Sequence, residues 1–178
     1  RESKQSRGLG DVYKRQSLAE SLANQGQGMV YSMAFGNGGT SVDPTGIITY
    51  LSPNSTGTNA SLYNQTYTKV IDDNSINNTD PTRNKIETRH VSGTNYTDII
   101  ATCLLDYGEP SGQDALDNAT GSDSLYVFDE LGLVSYATSG TGRLLTHVIF
   151  HPVQKSLNRL IQIDYTVRVQ SLTGFNEA

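Results

Sequence analysis

Ile161-Gln162-Ile163-Asp164-Tyr165-Thr166-Val167-Arg168-Val169-Gln170 is the stretch whose reading decides the fold. Ile161, Ile163, Tyr165, Val167 and Val169 alternate with Gln162, Asp164, Thr166, Arg168 and Gln170, without a break on either face. Successive side chains of a strand point to opposite faces, so a strict period of two marks a strand with one face buried and one wet. Moving toward the N-terminus, the same kind of signal recurs. Leu144–Phe150 is a continuous apolar run carrying one Thr and one His, while Tyr126–Phe128 and Leu131–Tyr136 flank Asp129-Glu130. Lys85–Val91 and Tyr96–Tyr107 read as strands separated by Ser92-Gly93, and Leu62–Ile71 is β-prone through Tyr63, Tyr67, Thr68 and Val70. Ile47–Leu51 is bounded by Pro44, Gly46 and Pro53, and Met29–Phe35 runs into Gly36-Asn37-Gly38-Gly39. Asp72–Asn84 and Gly108–Asp123 are polar, turn-rich loops. Eight or so short strands with loops between them imply a mainly β chain, an antiparallel β-sandwich or barrel-like fold. Ser17–Asn24 precedes them as the end of a short amphipathic helix, with Leu18 and Leu22 on one face and Gly26 and Gly28 stopping it.

Composition agrees with that class. Charged residues make up only 17% of the 178 residues, so Asn, Ser, Thr, Gln and 17 Gly carry the polar balance. Ten Tyr and no Trp suit half-buried strand positions. The net charge of −5 is uneven: residues 1–16 carry +3 and the remainder −8. An acidic body argues against binding nucleic acid by neutralising phosphates. The basic segment reads either as a nucleic-acid or membrane arm, or as foreign sequence. Gly10-Asp11-Val12-Tyr13-Lys14-Arg15-Gln16 resembles translated sequencing-adapter read-through at the ends of metagenomic sequences, so residues 1–16 are set aside as non-native. The native domain is then a single β-sandwich over 17–178, with its true N-terminus missing. No signal-peptide core is visible and no run approaches 18 apolar residues, so no membrane partner is expected.

The chemistry-bearing residues are sparse. Cys103 sits in the apolar run Ile99–Leu105 and reads as a small buried hydrophobe. Gly36–Gly39 lacks the Lys-Ser/Thr and helix that a phosphate loop needs, and reads as a tight turn. Asp72–Asp80 has the raw material of a calcium loop, but Asn77 and Arg83 stand where Gly and Glu are required. His147 and His151 would share a strand face about 13 Å apart, too far to hold one metal. Asp129 and Glu130, adjacent on a strand, would point to opposite faces and not to one substrate. Six Asn-x-Ser/Thr sequons begin at Asn54, Asn59, Asn64, Asn77, Asn95 and Asn118, a number that an Asn-, Ser- and Thr-rich chain produces by chance. Accordingly no catalytic, cofactor-binding or metal-binding residue is assigned, no cofactor is expected, and the chain is read as not an enzyme.

Three segments in order carry a family resemblance: Met33-Ala34-Phe35-Gly36-Asn37-Gly38-Gly39, Leu62-Tyr63-Asn64-Gln65-Thr66-Tyr67, and Glu130-Leu131-Gly132-Leu133. They are followed by Gly142-Arg143-Leu144, Lys155 and the closing alternating strand. Together, over about 17–170, these segments resemble the phage tail-collar fibre family and small phage virion structural proteins. Gln65 stands where that family favours Glu, and the loop Gly108–Asp123 is longer than usual. The resemblance implies a virion structural protein of the tail, neck, baseplate or tail-fibre attachment apparatus. It would be located in the virion and act by protein–protein assembly with copies of itself and other phage structural proteins. The alternative is a carbohydrate- or receptor-binding β-sandwich module, with exposed Tyr side chains lining a groove for a host-surface glycan. Independently of the family, Gly132 between two leucines marks a bulge or a close backbone approach. Asn64 and Glu130 are expected to act as structural pins to turn N–H groups.

Overall fold

The computed structural model describes residues 10–54, 61–113, 126–138 and 142–170, with side chains from Gln16 onward. It is mainly β, with three antiparallel sheets and one helix. The elements in chain order are α1 (Gly10–Leu22), β1 (Val30–Gly36), β2 (Thr40–Val42), β3 (Ile48–Tyr50), β4 (Gln65–Val70), β5 (Lys85–His90), β6 (Tyr96–Leu105), β7 (Tyr126–Ser135), β8 (Val148–Lys155) and β9 (Ile161–Gln170). One sheet runs β4-β1-β7-β8, a second β5-β6-β9, and β2-β3 is a separate hairpin.

The two larger sheets share one core. Met33, Phe35, Phe128, Leu131 and Leu133 of the first sheet cluster with Ala101, Cys103 and Leu105 of the second. Phe35 and Phe128 pack with ring centroids 5.2 Å apart and their planes tilted by 49°. The alternating strand behaves as its pattern requires: Ile161, Ile163, Tyr165 and Val167 pack on this core while Gln162, Asp164, Thr166 and Arg168 face solvent. Val169 is the exception, 44% exposed where the strand runs off the core. β1 and β7 show why their sequences run apolar without alternation: they are buried on both faces. Beneath them lies the main core, and above them Ala34 and Val134 pack with Leu62 and Leu144.

Several expectations are corrected by tertiary contacts. The helix, read from the sequence as ending over Ser17–Asn24, spans Gly10–Leu22. Its leucines are not a buried face, since Leu18 is 51% and Leu22 80% exposed. The anchor of α1 is polar: Arg143 Nη1 donates to Glu20 Oε1 and Oε2 at 3.0 and 2.9 Å. Its stop is Asn24, not the glycines. Asn24 takes φ 51°, Gln25 N–H donates to the Glu20 carbonyl, and Asn24 N–H donates to the Ser21 carbonyl, which is a Schellman cap. Gly28 then presses against Ser17, where a Cβ would lie 2.3 Å from the carbonyl oxygen.

β7 is one continuous ten-residue strand, so Asp129-Glu130 does not interrupt it. The run Leu144–Phe150 is not one strand: Leu144 makes an isolated bridge to Val134, and β8 begins only at Val148. Phe128 pairs with Val153 but Glu130 with Ile149, so β8 carries two extra residues around Phe150–Pro152. A bulge there suits Pro152, which cannot donate to a ladder. The bulge also separates the histidines: His147 is buried, His151 exposed, and they do not share a face. Finally, Asn64 is exposed and immediately precedes β4, so the acceptor of its sequon lies just outside the strand that Gln65 and Thr66 begin; the sequons at Asn59 and Asn118 lie outside the described residues.

Candidate functional site

Glu130 is the most completely enclosed carboxylate of the described chain, with no exposed surface. Its Oε1 accepts from the N–H groups of Gly38 (3.1 Å) and Asn64 (2.8 Å). Its Oε2 accepts from Tyr63 N–H (2.9 Å) and lies 2.8 Å from His147 Nε2. Beside it, Asp129 Oδ1 accepts from Gly39 N–H at 2.9 Å, and Oδ2 accepts from the Thr40 N–H and hydroxyl at 2.8 and 2.5 Å. The two carboxylates therefore converge on one turn and do not diverge as their adjacency predicts. The ladder shift beside Asp129 lets both side chains reach the turn that leaves β1.

Each partner is held for a local reason. Gly38 must lack a side chain, since a Cβ there would stand 2.8 Å from Asn64 N, and a Cβ at Gly39 would crowd Ile149 Cγ2 at 3.0 Å and Asp129 Oδ1 at 3.2 Å. Gly36–Gly39 is a turn, as its sequence reads, and the anions its N–H groups cradle are the protein's own carboxylates. Asn54 N–H donates to His147 Nδ1 at 2.7 Å, which leaves the ring proton on Nε2, directed at Glu130. Tyr63 covers the imidazole, with ring centroids 5.4 Å apart. Every strong acceptor lobe of Glu130 is occupied by a donor from the chain itself, which makes the group a clamp.

The sequence expectation for Glu130 as a pin to turn N–H groups is met. Asn64 contributes differently: its main-chain N–H serves Glu130, and its exposed side chain donates to Asn37 Oδ1 at 2.6 Å. His147 and Asp129 are the members that sequence reasoning missed. Gly132 makes the close approach form of its expected role: a Cβ there would lie 2.2 Å from the Thr146 carbonyl oxygen.

Cys103 is buried, and desolvation pushes its thiol up to about 12. In the loop Asp72–Asn84 the carboxylates cap turns. Asp72 Oδ1 accepts from Asn74 N–H, and Asp80 Oδ1 from Thr82 N–H and hydroxyl. Among the described residues no three His, Cys, Asp or Glu side chains gather where a metal could be held. No described helix is long and apolar enough to cross a membrane. Lys155, in the resemblance set, is fully buried, and its Nζ donates to the carbonyls of Tyr107 and Ser156 and to Gln113 Oε1. Burial pushes its pKa down. Lys69 is buried against Glu109 and the Leu104 carbonyl. Both lysines fasten the chain after β6 to the four-stranded sheet.

Among the described residues, two openings lie between the sheets. One, of about 550 Å³, is bordered by α1, Met29, Ile86, Ile99, Leu145 and Val169, and no tyrosine lines it. The other, of about 320 Å³, lies where β8 and β9 face each other and is lined by Phe35, Phe128, Phe150, Val153 and Ile161. No protein-family model, curated protein or solved structure matches this chain.

Proposed function

We propose that this chain is a structural module of a bacteriophage virion, part of the tail, neck, baseplate or tail-fibre attachment apparatus, acting by assembly with copies of itself and with other virion proteins. The observation that carries the reading is the Glu130 clamp. It is made by the three segments on which the family resemblance rests, Gly36–Gly39, Leu62–Asn64 and Glu130–Leu133, although Gly38 and Glu130 are 92 residues apart. That the segments carrying the resemblance meet at one buried carboxylate supports reading them together and not as scattered likenesses. The buried polar groups are turned to architecture, and the surface offers strand edges and apolar openings, the material of protein–protein contact. Assembly in virions is symmetric, so contacts between copies are part of the proposal. Negative-stain electron microscopy of the purified full chain tests it. Discrete particles of uniform symmetry support the proposal; a field of separate single chains at micromolar concentration counts against it.

A further inference from the structure

The two large sheets end in four edges, β4, β8, β5 and β9. Exposed strand edges are templates for pairing, and proteins blunt them with proline, bulges, charge or shortness. β8 carries Pro152 and a two-residue bulge. β5 is six residues long and sets Lys85, Glu87 and Arg89 along its length. β4 is also six residues and loses register with β1 at Gly36. β9 carries charge only at Asp164 and Arg168, which are of opposite sign, and has none of the other devices. It runs ten residues without proline or glycine, and all ten pair with β6 in one unbroken register from Leu105↔Ile161 to Tyr96↔Gln170. On its other side no described strand pairs with it.

The outward face of β9 is also self-complementary in one register. Antiparallel pairing of two copies about a two-fold axis at Thr166 places Asp164 opposite Arg168 of the second copy, twice, and Gln162 opposite Gln170. Inner-face Tyr165 then meets Val167, and Ile163 meets Val169. Moving the axis to residue 164 or 168 opposes like charges, and moving it to 165 or 167 leaves both charges without an ionic partner. Arg168 is ordered on the outward face by β6. Its Nε and Nη2 donate to Asp98 at 2.8 and 3.0 Å, and its guanidinium lies 3.7 Å over the Tyr96 ring. Asp164 is exposed and makes no salt bridge among the described residues; Gln162 Nε2 is its hydrogen-bond donor, at 3.2 Å. Immediately beside β9, the apolar cleft against β8 also reaches Gln162 and Asp164, so a strand added at this edge would lie along its mouth.

We infer that β9 is a self-association edge, at which a second copy of this chain adds its own β9 antiparallel about Thr166, joining two three-stranded sheets into one of six. The inference rests on the assembly reading for its premise that the chain meets copies of itself, and it names the surface and register. Pairing through main-chain groups supplies affinity, and the Asp164–Arg168 pairs select the register.

The test measures the mass of the full chain by light scattering over a concentration series for wild type, Asp164→Lys and Thr166→Cys, the last under mild oxidation. Directly opposed strand residues have Cβ atoms about 4.5–5.5 Å apart, close enough for a disulfide after small adjustment. Gln162→Cys is the control, because residues 162 of the two copies would stand roughly 26 Å apart along the strand. Buried Cys103 stays out of the reaction. The inference expects an even-numbered wild-type oligomer, a covalent dimer for Thr166→Cys and none for Gln162→Cys. It also expects association at least about tenfold weaker for Asp164→Lys, where Lys would face Arg168. Circular dichroism establishes that each variant is folded, and Thr166→Cys decides the register should Asp164→Lys unfold. A wild-type oligomer indifferent to Asp164→Lys, with no Thr166→Cys cross-link, overturns the β9 edge and leaves the assembly reading standing. A wild-type monomer at every concentration, with no cross-link, overturns both.

Discussion

Glu130 Oε2 and His147 Nε2 stand 2.8 Å apart, with the two side chains 0% and 3% exposed, and every other strong contact of the pair is a main-chain N–H group. The relationship joins β7 to the segment entering β8, and through Asn54, Tyr63 and Asn64 to the loop before β4.

The Glu130 clamp sets the first prediction. Glu130→Gln turns one acceptor oxygen into an NH2 group facing donors it cannot bond. Breaking a buried, hydrogen-bonded charge in this way costs about 3–5 kcal/mol. Urea unfolding of the variant reads this as a lower midpoint at unchanged slope. A loss under about 1 kcal/mol, the worth of an ordinary hydrogen bond, would show that the clamp does not hold the fold.

Gly132 gives the second. Gly132→Ala drives a methyl group into the Thr146 carbonyl and, at 2.5 Å, into Leu144 Cδ1, both on the chain that lies along β7. The expected loss is about 2 kcal/mol or more, typical of overpacking against backbone. Gly108→Ala meets open space and is expected to be neutral or stabilising by about 0.5 kcal/mol, since it restricts the unfolded chain. Thermal melts of the two variants side by side distinguish packing from a general intolerance of substitution.

Asp80 supplies a pH prediction. The Thr82 hydroxyl, then Arg83, hold its carboxyl down to about 2 from an ordinary 3.8. A carboxylate whose folded pKa is depressed contributes stability that is present above its unfolded value and lost as pH falls through its folded value. Asp98, held low by Arg168, and Asp43, held low by Thr45, act in the same direction. Melting temperature is therefore expected to fall between about pH 4 and pH 2. Asp80→Asn, which removes the titrating group, should flatten part of that fall; an identical profile in the variant would assign the acid loss elsewhere.

Cys103 provides a chemical probe. A thiol that is fully buried and raised to about 12 has almost no thiolate at pH 8. Alkylation of the native chain at pH 8 should be slow and should track global unfolding, becoming complete in urea. Rapid labelling of the native chain would place Cys103 at a surface.

The legible part of this fold is the part whose physics is local. β9 was readable because one face is wet and the other buried, which writes a period of two directly into Ile161–Val167. β1, β5 and β6 were readable as apolar or β-branched runs between turns. β2, only three residues long, carries too little pattern to be seen. Asp129-Glu130 looked like a break between two strands because carboxylates are ordinarily solvated. Their donors, Gly38, Gly39 and Asn64, lie 66 to 92 residues away, and no local window contains them. His147 is hidden likewise, since its partners Asn54 and Glu130 lie 93 and 17 residues away. The helix leucines misled in the opposite direction: a four-residue spacing shows that two side chains share a face, not that anything covers it.

The claim that this is an assembly module is tested most directly by the mass of the full wild-type chain in solution, measured by light scattering over a concentration series with and without EDTA. The account expects a discrete oligomer, even in number and indifferent to EDTA. A monomer of 19.3 kDa at every concentration would contradict it.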